Sequence, residues 1–213
     1  MKKYFSLLAF MTLFLFQPAY AQFSITGGLG VDLTNHSSLN DYISRRNGER
    51  RADFNPNAEF FGEVGYLVND GLQIGAEYAY SVNSYNSNNI GYYDLSYNGH
   101  LPSILAYYLI SGKGYRFKFG GGTGYRYFSI SEVGGISSQA LKYSASGFGF
   151  LLRADGNTTL GGNLYADISL QMRMDFVGEP KAQEGIFRNN FAEQNVNLNS
   201  FSVGLRLGLS YYF

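Results

Sequence analysis

Between positions 160 and 176 the chain alternates without a break. Leu160, Gly162, Leu164, Ala166, Ile168, Leu170, Met172, Met174 and Phe176 occupy the even positions, opposed by Asn163, Tyr165, Asp167, Ser169, Gln171, Arg173 and Asp175. A helix would scatter these charges around its circumference, whereas a strand sorts them onto opposite faces. The pattern predicts a strand, and it recurs. Phe23, Ile25, Gly27, Leu29, Val31 and Leu33 share one face, as do Leu72, Ile74, Ala76, Tyr78 and Tyr80. The same holds for the odd positions 115–127, the even positions 144–152 and the odd positions 201–213. Two weaker segments, 60–68 and 100–110, bring the expected total to eight strands.

The connections alternate in length. Asn69-Asp70-Gly71, Ser111-Gly112-Lys113-Gly114 and Asp155-Gly156-Asn157-Thr158 carry the Asn/Asp/Gly chemistry of tight hairpins. The stretches 34–56, 82–98, 129–142 and 178–197 read as long polar loops. Long loops at one end and tight turns with both termini at the other describe an antiparallel up-and-down meander. An even-stranded meander brings its first and last strands together and closes into a barrel without edges.

Periodicity does not say which face meets the core. Charge and aromatic placement favour an apolar exterior over a secreted soluble lipid-binding barrel, which remains an alternative. The polar faces hold Glu59, Glu63, Glu77, Asp167 and Asp175 against Arg116, Lys118, Arg126, Arg153, Arg173 and Arg206, a set able to neutralise itself inside a narrow lumen. Tyr66, Tyr78, Tyr80, Tyr108, Tyr115, Tyr127 and Tyr211 sit towards the ends of the apolar faces, where membrane barrels carry aromatic girdles. Charged residues make up 15% of the chain, against about 25% in soluble domains. Sixteen basic and sixteen acidic residues leave no net charge to attract nucleic acid, and the absence of Cys excludes disulfides and thiolate metal sites. The sequence therefore predicts no cofactor and no metal.

Lys2 and Lys3, the apolar run 4–16 and the Ala19-Tyr20-Ala21 pattern match a secretory signal peptide. The expectation is export through the Sec pathway, cleavage after Ala21 and a barrel spanning 22–213. The apolar run falls short of the roughly 20 residues a membrane-spanning helix needs.

The last strand, Arg206-Leu207-Gly208-Leu209-Ser210-Tyr211-Tyr212-Phe213, resembles the C-terminal β-signal of bacterial outer-membrane barrels, with Arg206, Gly208, Tyr211 and Phe213 at the matching places. With the signal segment and eight strands, the chain is similar to the outer-membrane protein A/X-like and opacity-type "porin family" barrels. The resemblance implies residence in the bacterial outer membrane, recognition by the barrel-assembly machinery and contact with outer-membrane lipid and lipopolysaccharide. The chain is expected to be a monomer whose loops are available to an extracellular ligand. It stops at Phe213, where full-length outer-membrane protein A continues, so a peptidoglycan-binding role is not expected.

Candidate chemistry is sparse. The run 120–124 (Gly-Gly-Gly-Thr-Gly) lies within an alternating strand and lacks the Lys-Ser/Thr of a phosphate loop, so these glycines are expected to make room for lumenal side chains. Arg45, Arg46, Arg50 and Arg51 form a basic cluster suited to lipopolysaccharide phosphates. Tyr92, Tyr93 and Tyr97 in the second loop, with Phe187 and Phe191 in the fourth, are expected to be exposed partner anchors. His36-Ser37-Ser38 and His100 keep open a second reading, a lipid A-modifying acyl enzyme. The favoured one is a non-enzymatic surface protein with a packed, charged lumen.

Overall fold

The computed structural model describes residues 23–213 apart from 49, 51, 90, 135–136, 183–190 and 192–194. Eight antiparallel strands form one closed sheet: β1 (Phe23–Asn35), β2 (Asn55–Asn69), β3 (Leu72–Ser87), β4 (Tyr93–Gly112), β5 (Tyr115–Gly134), β6 (Ser137–Gly161), β7 (Leu164–Val177) and β8 (Ser200–Tyr212). Each strand pairs with its sequence neighbours, and β1 pairs with β8 from Ser24↔Tyr212 to Asn35↔Phe201, which closes the ring. The segment 1–21, expected to be a signal peptide, lies outside the described residues.

The alternation has a direct spatial meaning. Ile25, Leu29, Val64, Ile74, Ile104, Phe119, Phe150, Leu152, Ile168, Leu205 and Leu207 are exposed on the outer wall, while Glu59, Glu63, Glu77, Lys118, Arg126, Arg153, Asp167, Arg173, Asp175 and Arg206 are buried inside. Water would penalise such an exterior, and hydrocarbon accepts it. Aromatic rings bound the apolar belt. Phe23, Tyr66, Tyr108, Tyr115 and Tyr211 mark the turn end; Tyr78, Tyr125, Tyr127, Phe148 and Phe176 mark the loop end.

The strands are of unequal length, and this corrects two of the expected loops. β1, β2, β7 and β8 have 13, 15, 14 and 13 residues, close to the roughly 9–11 that cross a bilayer at a tilt. By contrast β3 to β6 have 16, 20, 20 and 25. Most of 82–98 and 129–142 is therefore strand, forming a four-stranded overhang beyond the belt at the loop end. On β4, β5 and β6 its faces are inverted relative to the belt. On β6 the outward series runs Lys142, Ser144, Ser146 and then Phe148, Phe150, Leu152, while the inward series runs Tyr143, Ala145 and then Arg153, Asp155. On β4 the inward residues of the overhang are Tyr93, Leu95 and Tyr97, and the outward ones Asp94, Ser96 and Asn98. Period two persists through the crossover, but the greasy face changes sides, so a search for one continuous apolar face loses the strand there.

The predicted turn at 155–158 is also displaced. Asp155 and Asn157 lie within β6 and point inward, and the chain reverses at Gly161-Gly162, where φ is +149° and +55°. The lumen claims the polar side chains of the predicted turn, and the reversal falls a few residues further on. Leu160 and Gly162 accordingly fall outside β7.

The first loop contains a helix, α1 (Ser37–Asn47). Leu39, Tyr42 and Ile43 share one face by their three- and four-residue spacing, and each is at most 1% exposed. Arg45 and Arg46 complement the C-terminal end of the helix dipole, and Gly48 ends the helix in the left-handed region at φ 70°, donating its N–H to Ser44 O.

Candidate functional site

Two regions of the interior carry most of the polar chemistry. The first fills the barrel at the height of the apolar belt. Arg126 Nε meets Asp175 Oδ1 at 2.6 Å, and Asp175 Oδ2 lies 3.1 Å from Arg173 Nε. Arg173 reaches Asp32 and Glu59, both at 2.7 Å. Arg206 joins Glu59 at 3.5 Å to Glu77 at 2.9 Å, and Arg153 forks onto Glu77 at 2.6 and 2.8 Å. Arg153 continues to Glu63 at 3.1 Å, and Lys118 links Glu63 at 3.7 Å to Asp155 at 3.1 Å. Gln171 sits at the centre, donating to Asp32 and Glu59 and accepting from Arg153 and Arg206. Every basic group in this network has a carboxylate partner, as burial of charge demands.

Of the eleven charges read from the sequence, nine join this network. The other two lie nearer the turn end. Asp167 accepts hydrogen bonds from Asn157 and from Ser169 at 2.8 Å, and Arg116 stacks over the Tyr212 ring at 4.0 Å. Sequence reasoning missed Asp32, Asp155 and Gln171. Asp32 and Gln171 were visible on polar strand faces, whereas Asp155 was hidden by its turn-like neighbours.

Glycines supply the room. A Cβ at Gly204 would collide with Asp32, one at Gly149 with Asp175 and Arg126, and one at Gly120 with Tyr107, whose hydroxyl donates to Glu63 at 2.6 Å. In the terminal strand, a Cβ at Gly208 would lie 2.8 Å from Gly27 O and 3.2 Å from the Phe61 ring, on whose face the Arg206 guanidinium rests at 3.4 Å. Tyr211 and Phe213 face outward with rings 5.0 Å apart.

The second region lies under the overhang. Leu39, Tyr42 and Ile43 of α1 pack with Tyr93, Leu95, Tyr97, Phe128, Ile130, Tyr143, Phe191, Val196 and Leu198 in one apolar core across the loop-end mouth. At its centre Glu132 Oε1 accepts hydrogen bonds from Tyr42 at 2.7 Å and Tyr93 at 3.0 Å, and Arg46 Nε approaches to 3.6 Å. Burial, reinforced by the Glu132 carboxylate, pushes the Tyr42 hydroxyl well above the usual phenol range.

This core corrects the expected partner anchors. Tyr93, Tyr97 and Phe191 are at most 3% exposed, and Tyr92 alone of the described members points to solvent; Phe187 lies outside the described residues. The basic cluster divides. Arg45 and Arg50 are exposed, Arg46 turns towards Glu132, and Arg51 lies outside the described residues. Arg50 faces Asp53 at 4.0 Å on the surface.

The two histidines are not brought together. His36 is buried in the mouth, with Nδ1 3.2 Å from Leu198 O and its ring edge-on to Tyr97 and Phe128. His100 lies on the outer wall, its Nδ1 2.6 Å from the Tyr78 hydroxyl. Ser38 Oγ is engaged by the Asn197 N–H. These residues do not assemble the Ser–His–acid arrangement that acyl transfer requires.

No family model and no curated protein matches the sequence. Among solved structures, the chain is similar to the neisserial surface protein A, with 15% identity over 92% of this chain and 100% of that one and a TM-score of 0.56. It is also similar to the attachment invasion locus protein of Yersinia pestis, solved with the heparin analogue sucrose octasulfate (12% identity, 90% and 98% coverage, TM-score 0.55). A third is a major outer membrane protein from Thermus thermophilus (13% identity, 90% and 99% coverage, TM-score 0.59). At such identities the likeness is one of fold. In that fold, and in the apolar outside and ionic inside of its wall, the chain is an eight-stranded antiparallel transmembrane β-barrel, similar to these small barrels of the outer membrane.

Proposed function

We propose that the chain is a non-enzymatic surface protein of the bacterial outer membrane that displays a braced platform above a sealed lumen. The observation that carries this reading is the apolar core under the overhang, which ties α1 and the 196–198 segment to the inner face of β3–β6. Strands that merely ended in loops would need no such core. Below it, the ion-paired side chains occupy an interior that in eight-stranded barrels is just wide enough to hold them. Planar-bilayer recording on the full-length protein tests the seal. At most small, irregular conductance is expected, and large stable steps would overturn it.

The platform's outward residues, Asp94, Ser96, Asn98, Ser129 and Ser131, are polar and suit contact with an extracellular ligand through hydrogen bonds. Arg45 and Arg50 offer guanidinium forks to lipopolysaccharide phosphates, and the Yersinia protein of the same fold was solved with a sulfated ligand. Replacing Arg45, Arg46, Arg50 and Arg51 by Ser should lower lipopolysaccharide retention, and unchanged retention discards the contact. Residues 1–21 serve in this reading as the Sec signal. Arg206, Gly208, Tyr211 and Phe213 present the terminal strand to the barrel-assembly machinery, so Phe213→Ala should slow assembly without unfolding barrels already inserted.

A further inference from the structure

The basic residues of the strands divide by face. Arg116, Lys118, Arg126, Arg153, Arg173 and Arg206 turn into the barrel, where a carboxylate or an aromatic ring receives each of them. Among the described strand residues only Lys142 and Lys181 turn outward. Lys142 continues the outward series of Ser146 and Ser144 on β6. Lys181 opens a two-residue strand, Lys181–Ala182, that pairs with β6 at Ser144↔Lys181 and Tyr143↔Ala182. Ala182 packs against the apolar core of the mouth, which leaves Lys181 on the outer face. Residues directly opposite one another share a face, so Lys181 stands beside Ser144 and diagonal to Lys142.

Diagonal neighbours on one sheet face lie within about 8 Å, and like charges so placed repel. Both lysines are exposed, and neither makes an ion pair with any described residue. Their position decides what relieves the repulsion. Phe148 and Phe176, the upper aromatic residues of the apolar belt, lie below the pair, so it stands where acyl chains give way to headgroups. Beside it the wall opens into a cavity of about 380 Å³ lined by Tyr127, Ser144, Ser146, Gly178, Glu179 and Lys181, within the roughly 300–1,000 Å³ range of small-ligand sites. Two ammonium groups against one carboxylate select an anion, and the hydroxyls around them suit a sugar.

We propose that this face seats the phosphorylated disaccharide headgroup of lipopolysaccharide, its lipid A, with one phosphate shared between Lys142 and Lys181. The inference rests on the outward orientation of the loop end proposed above, and it adds a second station there. β6 lies three strands from β1 and four from β2, whose connection carries Arg45 and Arg50. A lysine acts on phosphate as a point charge, and the Ser144 hydroxyl between the two adds a hydrogen bond. Ser146 and Tyr127 face the sugar, Glu179 accepts one of its hydroxyls, and the acyl chains descend along Phe148 and Phe150.

Native mass spectrometry of the full-length protein released from detergent tests this, with bisphosphorylated lipid A and its dephosphorylated form offered at equal concentration. The wild type should retain the bisphosphorylated form about fivefold better. Lys142→Ala combined with Lys181→Ala should lower that preference, whereas Lys113→Ala, in an exposed turn at the other end of the barrel, should leave it intact. The lysine effect should persist when Arg45, Arg46, Arg50 and Arg51 are replaced by Ser, so failure of the arginine contact and failure of this site are read separately. Both lysines are exposed, and unchanged heat-modifiable gel mobility verifies that each variant is folded. An unchanged preference in the double lysine variant, an equal loss from Lys113→Ala, or better retention of phosphatidylglycerol than of lipid A overturns the proposal. Excess inorganic phosphate should leave the bound lipid in place; its complete displacement would assign the lysines to a free anion and overturn the lipid as occupant.

Discussion

The two halves of the interior are built on opposite principles within one continuous wall. At belt height the outside is greasy and the inside ionic; under the overhang the outside is polar and the inside greasy. The difference follows from what the outer face touches. Where lipid surrounds the barrel, moving a leucine from wall to lumen gains nothing, because hydrocarbon is as apolar as any core. The charges must then be enclosed, and they persist only as a mutually paired set. Where water surrounds the strands, burying Leu95, Tyr97 and Ile130 recovers the ordinary hydrophobic gain of about 25 cal/mol per Å². The network resists loss of a partner, and the cap resists loss of volume.

The largest expected effect separates these modes. Arg173→Met leaves Asp32, Glu59 and Asp175 short of their shared cation and should cost about 3–5 kcal/mol, read as a lower unfolding midpoint of the whole barrel in urea. A loss confined to the loop end would break the comparison. Ile43→Ala comes next, at about 3 kcal/mol for a large-to-small change at a fully buried site. Here hydrogen exchange should accelerate in α1 while the belt strands keep their protection. Equal acceleration in both regions would mean that cap and network unfold as one unit.

The smallest effect is pH-dependent and belongs to the cap alone. Because the docked Tyr42 holds its proton beyond the range of a free phenol, its contribution is complete below about pH 10 and declines as pH rises further. The hydrogen bond at stake is worth about 1–3 kcal/mol. The chain has no cysteine, so Asp41→Cys accepts a single spin label. Its mobility should rise in this alkaline range, and Tyr42→Phe should weaken the pH dependence, Tyr93, raised by burial and the same carboxylate, carrying the remainder. A label equally immobile at all pH values sinks the assignment.

The contrast also explains which parts of the molecule the sequence discloses. β1, β7 and β8 keep one apolar face from end to end, so their alternation and their inward charges were readable. The overhang was not, since the apolar parity passes from Phe148 and Leu152 to Tyr143 and Ala145, and a single-phase reading sees only a polar stretch. α1 has too few apolar residues to reveal its period without the partner surface that buries them. Asp155 was misplaced because Asp-Gly-Asn suits a turn as well as a lumen. The distribution of the arginine cluster depends on Glu132, which is distant in sequence from Arg46 and has no local signature linking them.

The swap of polarity along β4–β6 works like a draught mark on a hull. Hydrocarbon above Phe148 would wet Ser146, Ser144 and Lys142, and water below it would wet Phe150 and Leu152, so the molecule floats at one fixed waterline. A thicker bilayer has to thin around it, at fractions of a kcal/mol per Å of mismatch, since sinking deeper would drown the charged upper wall in oil.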